Sequence, residues 1–293
     1  MKKYFIIISL LVISGITVFF SCDKIEPPYM NVTDVSDCPV PDFPDVTTPE
    51  KTILIEEFTG HLCVYCPTGT DYVHQIKNQS YGNRVIVLAI HASGLSDPEP
   101  GNYSLDLRLI PHGEELYSYF AIPAEPRAGF NREKIDGTNN FYGTPSTWQA
   151  KAEQVLAQAP VMTLQIINNY DSATRKLCAH IKTKFLAPNT QNLKIALFLS
   201  EDSIVGYQKN NNNAVGTMPD IVDYVFMDVM RDDFTGTFGE VLTSGSVAQD
   251  SAVIRTYKKI LDPGFNAKHC KVVAYVYDAD TDVVLQAAEE KVY

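Results

Sequence analysis

Lys51-Thr-Ile-Leu-Ile-Glu-Glu-Phe-Thr-Gly-His-Leu-Cys-Val-Tyr-Cys-Pro67 is the stretch on which the fold turns. Ile53 to Phe58 is short, apolar and rich in β-branched residues, the pattern of a buried strand. Thr59-Gly60 breaks it. A helical pattern follows from about Cys63 to Gln79, with Tyr72, Val73 and Ile76 at its apolar positions. Arg84-Val-Ile-Val-Leu-Ala-Ile-His91 then reads as a second buried strand. The result is a strand–helix–strand unit with two cysteines at the first strand-to-helix junction. Backbone N–H groups of a helix's first turn favour a thiolate there and lower a cysteine pKa from about 8.5 toward 7. Cys63 is therefore expected to be the exposed attacking thiol, with Cys66 one turn inside to resolve a mixed disulfide. Pro67 falls in the first turn, where its missing N–H costs little.

These residues resemble the thioredoxin superfamily. A buried acid often sits six residues before the first cysteine in that family, and Glu57 occupies this offset. The resemblance implies that Glu57 exchanges a proton with Cys66. It also implies a cis-proline facing the cysteines, for which Phe120-Ala-Ile-Pro-Ala-Glu-Pro-Arg-Ala-Gly-Phe-Asn-Arg132 offers Pro126, with Pro123 as the near rival. Leu62 stands where the family commonly has Trp. Two other readings of the cysteine pair stay open. A structural zinc site wants a second Cys or His pair; Cys178 and Cys270 are isolated and the six histidines form no close pair, so neither a metal nor a cofactor is expected. A permanent, non-catalytic Cys63–Cys66 disulfide is the other. His61 reads as a solvated loop residue. His91, at a strand's C-terminal end, either lines the site or caps its own loop.

Upstream, Lys2-Lys3 precedes an uncharged apolar run from Tyr4 to Phe20, the pattern of a secretory leader rather than of a membrane span of about 20 residues. The run closes on Ser21-Cys22, which resembles a lipoprotein processing site and makes Cys22 the expected lipidated N-terminus, despite Phe19-Phe20 at the preceding positions. Asp23 to Pro49 carries six prolines, has no amphipathic period and is expected to be an extended tether. The net charge is −11, and loss of Lys2 and Lys3 with the leader leaves −13. Such acidity repels nucleic-acid backbones and argues against DNA or RNA as a partner.

The motifs Glu56-Glu-Phe-Thr-Gly-His-Leu-Cys-Val-Tyr-Cys-Pro67, Ala89-Ile-His91 and Asn131-Arg132 together are similar to a narrower group, the twenty-eight-kilodalton outer-membrane lipoprotein family of Bacteroidetes. The similarity continues through Ala196 to Val205, Gln208, Tyr224 to Arg231 and Val273 to Gln286. Members are described as surface adhesin or receptor candidates, so the resemblance bears on location more than on activity. Ser93 to Tyr119 reads as an insertion over the site, ending in a helical turn at Gly113–Phe120. Its Tyr103, Tyr117 and Tyr119 are either groove or core aromatics. Thr147 to Gln158 reads as a helix with Trp148, Ala152, Val155 and Leu156 on one face.

From Pro160 the pattern alternates. Val161–Ile167, Lys176–Phe185, Leu193–Leu199 and Lys271–Tyr277 are strand-like and separated by turns, which predicts an antiparallel β-sandwich of immunoglobulin-like architecture. Asn210 to Asn213 reads as a polar loop of no packing value. A Cys178–Cys270 bridge is conceivable, but alternation sets Cys178 on a polar face and Cys270 on an apolar one, which argues against it. Cys38 is left unpaired or intermolecular. With 293 residues, enough for about two domains, the fold class expected is α/β + β. Its parts are a leader over 1–21, a tether over 22–50, a thioredoxin-like domain over 51–159 and a β-sandwich over 160–293. The function expected is thiol–disulfide exchange on envelope proteins, with Cys63, Cys66, Glu57 and Pro126 as site residues and a lipid anchor in the membrane. The alternative is a non-catalytic surface protein that binds a protein ligand.

Overall fold

β1 (Ile53–Thr59) and β2 (Val85–His91) are buried at every position and pair in parallel, Ile53 opposite Val85 and Thr59 opposite His91. Helix α1 (Cys66–Lys77) makes the crossover between them. Strand alternation sends successive side chains to opposite faces. Ile53, Ile55, Val85 and Val87 meet Val73 and Ile76 of α1, together with Trp148 and Val155 of a later helix. Leu54, Phe58, Ile86, Leu88 and Ile90 face the other way, onto Leu116 and Ile122. The computed structural model describes residues 35–79, 81–135 and 142–293. The expected leader, Cys22 and the first part of the expected tether lie outside the described residues.

After β2 come α2 (His112–Tyr119), β3 (Arg127–Phe130), β4 (Tyr142–Gly143) and α3 (Pro145–Leu156). β3 runs antiparallel to β1, and β4 antiparallel to β3. The remainder is β5 (Met162–Asp171), β6 (Lys176–Phe185), β7 (Leu193–Glu201), β8 (Ile204–Lys209), β9 (Asp220–Phe226), β10 (Val229–Asp233), β11 (Glu240–Thr243), β12 (Ala252–Ile260), β13 (Cys270–Asp278) and β14 (Val284–Lys291). The fold is thus mixed α/β and dominated by several sheets.

The largest sheet has the order β14-β13-β7-β10-β2-β1-β3-β4, with β11 on β7. It is continuous across position 159/160, because β10 lies parallel to β2 through the pair Val229–Ala89 and the Ala89 N–H donates to the Asp228 carbonyl at 2.8 Å. Val35–Tyr293 forms one compact unit. β12-β6-β5 is a second, antiparallel sheet. Its apolar residues Met162, Leu177, Ile181 and Phe185 share one core with Ile195, Leu197, Val272 and Val276 of the large sheet. β8 and β9 form a separate hairpin.

A buried ion pair ties several of these strands together. Arg132 Nε and Nη2 donate to the two Glu56 carboxylate oxygens at 2.8 and 2.7 Å, and Tyr142 donates to Glu56 at 2.8 Å. Arg132 also donates to the Tyr275 hydroxyl at 2.9 Å and lies over the rings of Phe120 and Tyr275, 4.9 and 5.0 Å from their centroids. Asn131, at φ 50°, accepts from Leu54 N–H through its side chain at 2.7 Å and aims Arg132 inward.

The expected tether is corrected where it is described. Residues 35–50 form no helix or strand, turn at Val35–Cys38 through a Cys38 N–H bond to the Val35 carbonyl at 2.8 Å, and are strapped to the second sheet. Cys38 is buried and bonded to Cys178 of β6, Cα–Cα 5.6 Å. The Asp37 carboxylate meets Lys176 at 2.9 Å and Lys258 at 3.0 Å, and hydrogen bonds from these two ammonium groups hold its pKa down at about 2. Pro44 accepts from Gln165 at 2.8 Å, and Lys182 lies over the Phe43 ring. Cys38 is therefore neither unpaired nor intermolecular, and the Cys178–Cys270 bridge does not form. Cys270 is a buried free thiol, pushed up to about 12 by desolvation.

Candidate functional site

The cysteine loop is built from two consecutive tight turns. Cys63 N–H donates to the Gly60 carbonyl at 3.1 Å and Cys66 N–H to the Cys63 carbonyl at 3.3 Å, while Leu62 N–H reaches Leu95 at 2.9 Å. Cys63 and Cys66 form a disulfide, Cα–Cα 5.4 Å. The helix begins at Cys66 rather than at the expected Cys63. The turns use up the residues before it, and Pro67 then sits in the first turn, where proline is tolerated.

Cys63 is not exposed, contrary to its reading as an open attacking thiol: it is 3% accessible and Cys66 is 1%. The β8–β9 hairpin and the loop between its strands cover it. Gln208 Nε2 donates to the carbonyls of Cys63 at 3.0 Å and Gly60 at 3.2 Å. Lys209 N–H donates to the His61 carbonyl at 2.9 Å, and Asn211 N–H to that of Val64 at 3.1 Å. Asn212 reaches the Thr68 hydroxyl at 3.1 Å. The Asn210–Asn213 run thus has a packing role. Asn210 is buried and donates to the carbonyls of Asn212, Gly216 and Thr217, which holds the covering loop in shape.

Two buried carboxyl groups belong to the site. Glu57, near the end of β1 and on the α1 face, accepts from the Thr70 hydroxyl of α1 at 2.8 Å. Desolvation pushes its pKa up to about 8; the Thr70 bond opposes this, and Asp228 and Glu125 add to it. Glu125 was not legible as a site residue; its only sequence signal is its place before Pro126. One of its carboxylate oxygens and the two sulfurs lie within 4.8 Å of one another. Neither oxygen has a hydrogen-bond partner of good geometry among the described residues. Burial pushes Glu125 up to about 7, opposed by the Ser93 hydroxyl. The Glu125–Pro126 peptide is cis, and Pro126 packs so closely on α1 that a Cβ at Gly69 would come within 2.8 Å of its ring. Cys63, Cys66, Glu57 and Pro126 therefore come from separate segments that this fold gathers around one helix start. A disulfide here can take up two electrons, and the two carboxyls can hold protons near neutral pH.

Both histidines differ from expectation. His61 is buried, not solvated: it stacks on Tyr103 and its Nε2 lies 3.1 Å from the Asp97 carbonyl. His91 is buried edge-on against Phe226, neither ring nitrogen has a hydrogen-bond partner of good geometry among the described residues, and desolvation drops its pKa to about 3, so it stays neutral. Tyr103, Tyr117 and Tyr119 do not share a groove. Tyr103 donates to Asp220, Tyr117 packs on Phe58, and Tyr119 reaches Asp282 on the surface. A groove of about 420 Å³ instead lies along the first turns of α1, lined by Tyr65, Thr68, Gly69, Tyr72, Pro126 and Arg127 among others. Tyr65 and Tyr72 are exposed and seven residues apart, two helical turns, and that spacing was the available signal.

The family model described as "Outer membrane protein Omp28" matches residues 113–293. The cysteine stretch lies upstream of the matched residues. The structure is similar to HBP35 of Porphyromonas gingivalis, with a TM-score of 0.63 and 18% identity over 83% of this chain and 76% of that one. A domain of the outer membrane lipoprotein Omp28 from Porphyromonas gingivalis aligns with a TM-score of 0.31 and 18% identity, over 46% of this chain and 90% of that one. No curated protein matches the chain.

Proposed function

Because the chain belongs to the Omp28 family of outer membrane proteins, we propose that it is an envelope lipoprotein, anchored through Cys22, whose thioredoxin-like part exchanges disulfides with other envelope proteins. In this reading residues 160–293 are an immunoglobulin-like sandwich whose inner strands also extend the thioredoxin-like sheet. The observation that carries the reading is that Glu125 lies beside the Cys63–Cys66 sulfurs while Glu57 and the cis Pro126 pack on Thr70 and Gly69 of the same helix. Cys63 as a thiolate would attack a substrate disulfide, breaking its S–S bond, releasing one substrate sulfur as a thiolate and forming a mixed disulfide with the other. Cys66, its proton passed to Glu57, would displace the substrate as a thiol. Pro126 and the Tyr65–Tyr72 groove would receive the substrate's extended chain.

The test is catalysed reduction of insulin disulfides by dithiothreitol with the chain that starts at Cys22. Turnover above the uncatalysed rate, lost in Cys63→Ser, is expected; turnover that survives Cys63→Ser overturns the reading. One observation favours a second reading. The hairpin that buries Cys63 would suit a permanent disulfide in a surface protein that binds a protein ligand. That protein would show no turnover even after the hairpin is loosened.

A further inference from the structure

We propose that Cys63, Cys66 and Glu125 form a redox-gated site for a zinc-class divalent cation, closed while the cysteines are bonded to each other and opened when they are reduced. The inference does not depend on disulfide turnover, since it concerns binding alone.

Three observations carry it. The two sulfurs and a Glu125 oxygen already lie within 4.8 Å of one another, and among the described residues this is the set of metal-ligating side chains that gathers so closely. All three residues are buried, Glu125 being 9% accessible. Among the described residues neither Glu125 oxygen has a hydrogen-bond partner of good geometry, the Ser93 hydroxyl being its neighbouring donor. A carboxyl group in that state has an unmet demand for a donor or a cation. The backbone that carries it is placed by the close packing of the cis Pro126 on Gly69.

The donor chemistry selects the cation. Zinc takes thiolate sulfur at about 2.3 Å and carboxylate oxygen at about 2.0–2.2 Å, which sets neighbouring ligand atoms roughly 3.5 Å apart around a tetrahedral ion. From a cluster whose atoms lie within 4.8 Å of one another, the oxygen must close on the sulfurs and the sulfurs must separate once their bond is broken. Calcium and magnesium, which prefer oxygen alone, do not suit two thiolates. Three protein ligands would leave a fourth position to water.

The gating follows from the sulfur chemistry. A dithiol reductant delivers two electrons and two protons to the Cys63–Cys66 bond. The S–S bond breaks, two S–H bonds form, and the reductant leaves as its own disulfide. The cation then displaces one proton from each thiol, and the Glu125 proton where it is held, and forms two sulfur bonds and one oxygen bond. The disulfide state has no thiolate to offer. A bound ion would in turn withhold both sulfurs from exchange.

The experiment is a Co²⁺ titration of the chain starting at Cys22, reduced with a phosphine, followed by Zn²⁺. Thiolate-to-cobalt charge transfer and the visible bands of tetrahedral Co²⁺ are expected at one ion per chain, lost on adding Zn²⁺ and absent from the oxidised protein. Glu125→Gln should weaken binding by at least about tenfold, because even ligand-orienting groups contribute about 10–100-fold, and Glu125→Asp should recover part of it. No Co²⁺ spectrum in the reduced protein, or unchanged affinity in Glu125→Gln, overturns the site. X-ray absorption of the zinc-loaded wild type gives a check that needs no variant. Two sulfurs with oxygen ligands are expected, and a shell of four sulfurs shared between two chains refutes it.

Discussion

Arg132 illustrates how much a single side chain holds in place. It is fully buried and bridges β1, β4 and β13 through Glu56, Tyr142 and Tyr275. A buried ion pair contributes little net stability against an apolar replacement of both partners, yet removing one partner strands the other charge. Arg132→Met is therefore expected to lower stability by about 3–5 kcal/mol in urea unfolding. A double change that also makes Glu56→Gln should recover part of the loss. A loss below about 1 kcal/mol for Arg132→Met would mean that Glu56 finds another partner. Asn131-Arg132 was conspicuous in the sequence only as part of a family resemblance. Its physical meaning, a left-handed backbone pair that turns a guanidinium into the core, became visible only with the partners from β4 and β13.

At the scale of elements, the β8–β9 hairpin decides how available the candidate site is. Its grip on the cysteine loop rests on Gln208, whose amide donates to Cys63 and Gly60. Gln208→Ala should take one donor from each of those carbonyls, which keep only the turn N–H groups of Cys63 and Cys66, and loosen the cover. The expected result is a several-fold faster reduction of Cys63–Cys66 by a small thiol, read by mass after alkylation. An unchanged rate would mean that the hairpin does not limit access. This element also marks where sequence reading ran out. β1, α1 and β2 were legible because apolar runs and a cysteine pair are local signals. β6 was legible at both ends because its alternation is clean. The helix start was misplaced by three residues because Pro67 permits either register and the turns at Gly60 and Cys63 depend on Leu95. β8 and β9 escaped because their exposed valines and buried Gln208 invert the usual pattern. Asn210 looked idle because its partners are backbone carbonyls, which no side-chain pattern reveals. Glu57 and Pro126 were found by offset and by proline chemistry; Glu125 had no comparable signal.

At the scale of the whole molecule, one sheet and one strap make Val35–Tyr293 a single compact unit. The Cys38–Cys178 bond closes a loop with a sequence separation of 140 residues. Loop closure of that length restricts the unfolded chain, and losing a native disulfide typically costs about 2–5 kcal/mol. Cys38→Ser is expected to lower the unfolding free energy by that amount while leaving Cys63–Cys66 intact. A smaller loss would mean that Asp37, with its two lysines, and Phe43 hold the strap without the bond.

The same strap has a consequence for biogenesis. A chain that crosses a membrane N-terminus first delivers Cys38 to the oxidising side before any partner. Cys63 and Cys66 arrive next, and Cys178 only after most of the large sheet's first strands. During that interval the thiols nearest to Cys38 are the wrong ones. Correct maturation then requires either that the cysteine loop closes on itself quickly, within its own two tight turns, or that a mispaired Cys38 is released by an isomerase. The distance between two residues in the sequence thus becomes an order of events in time.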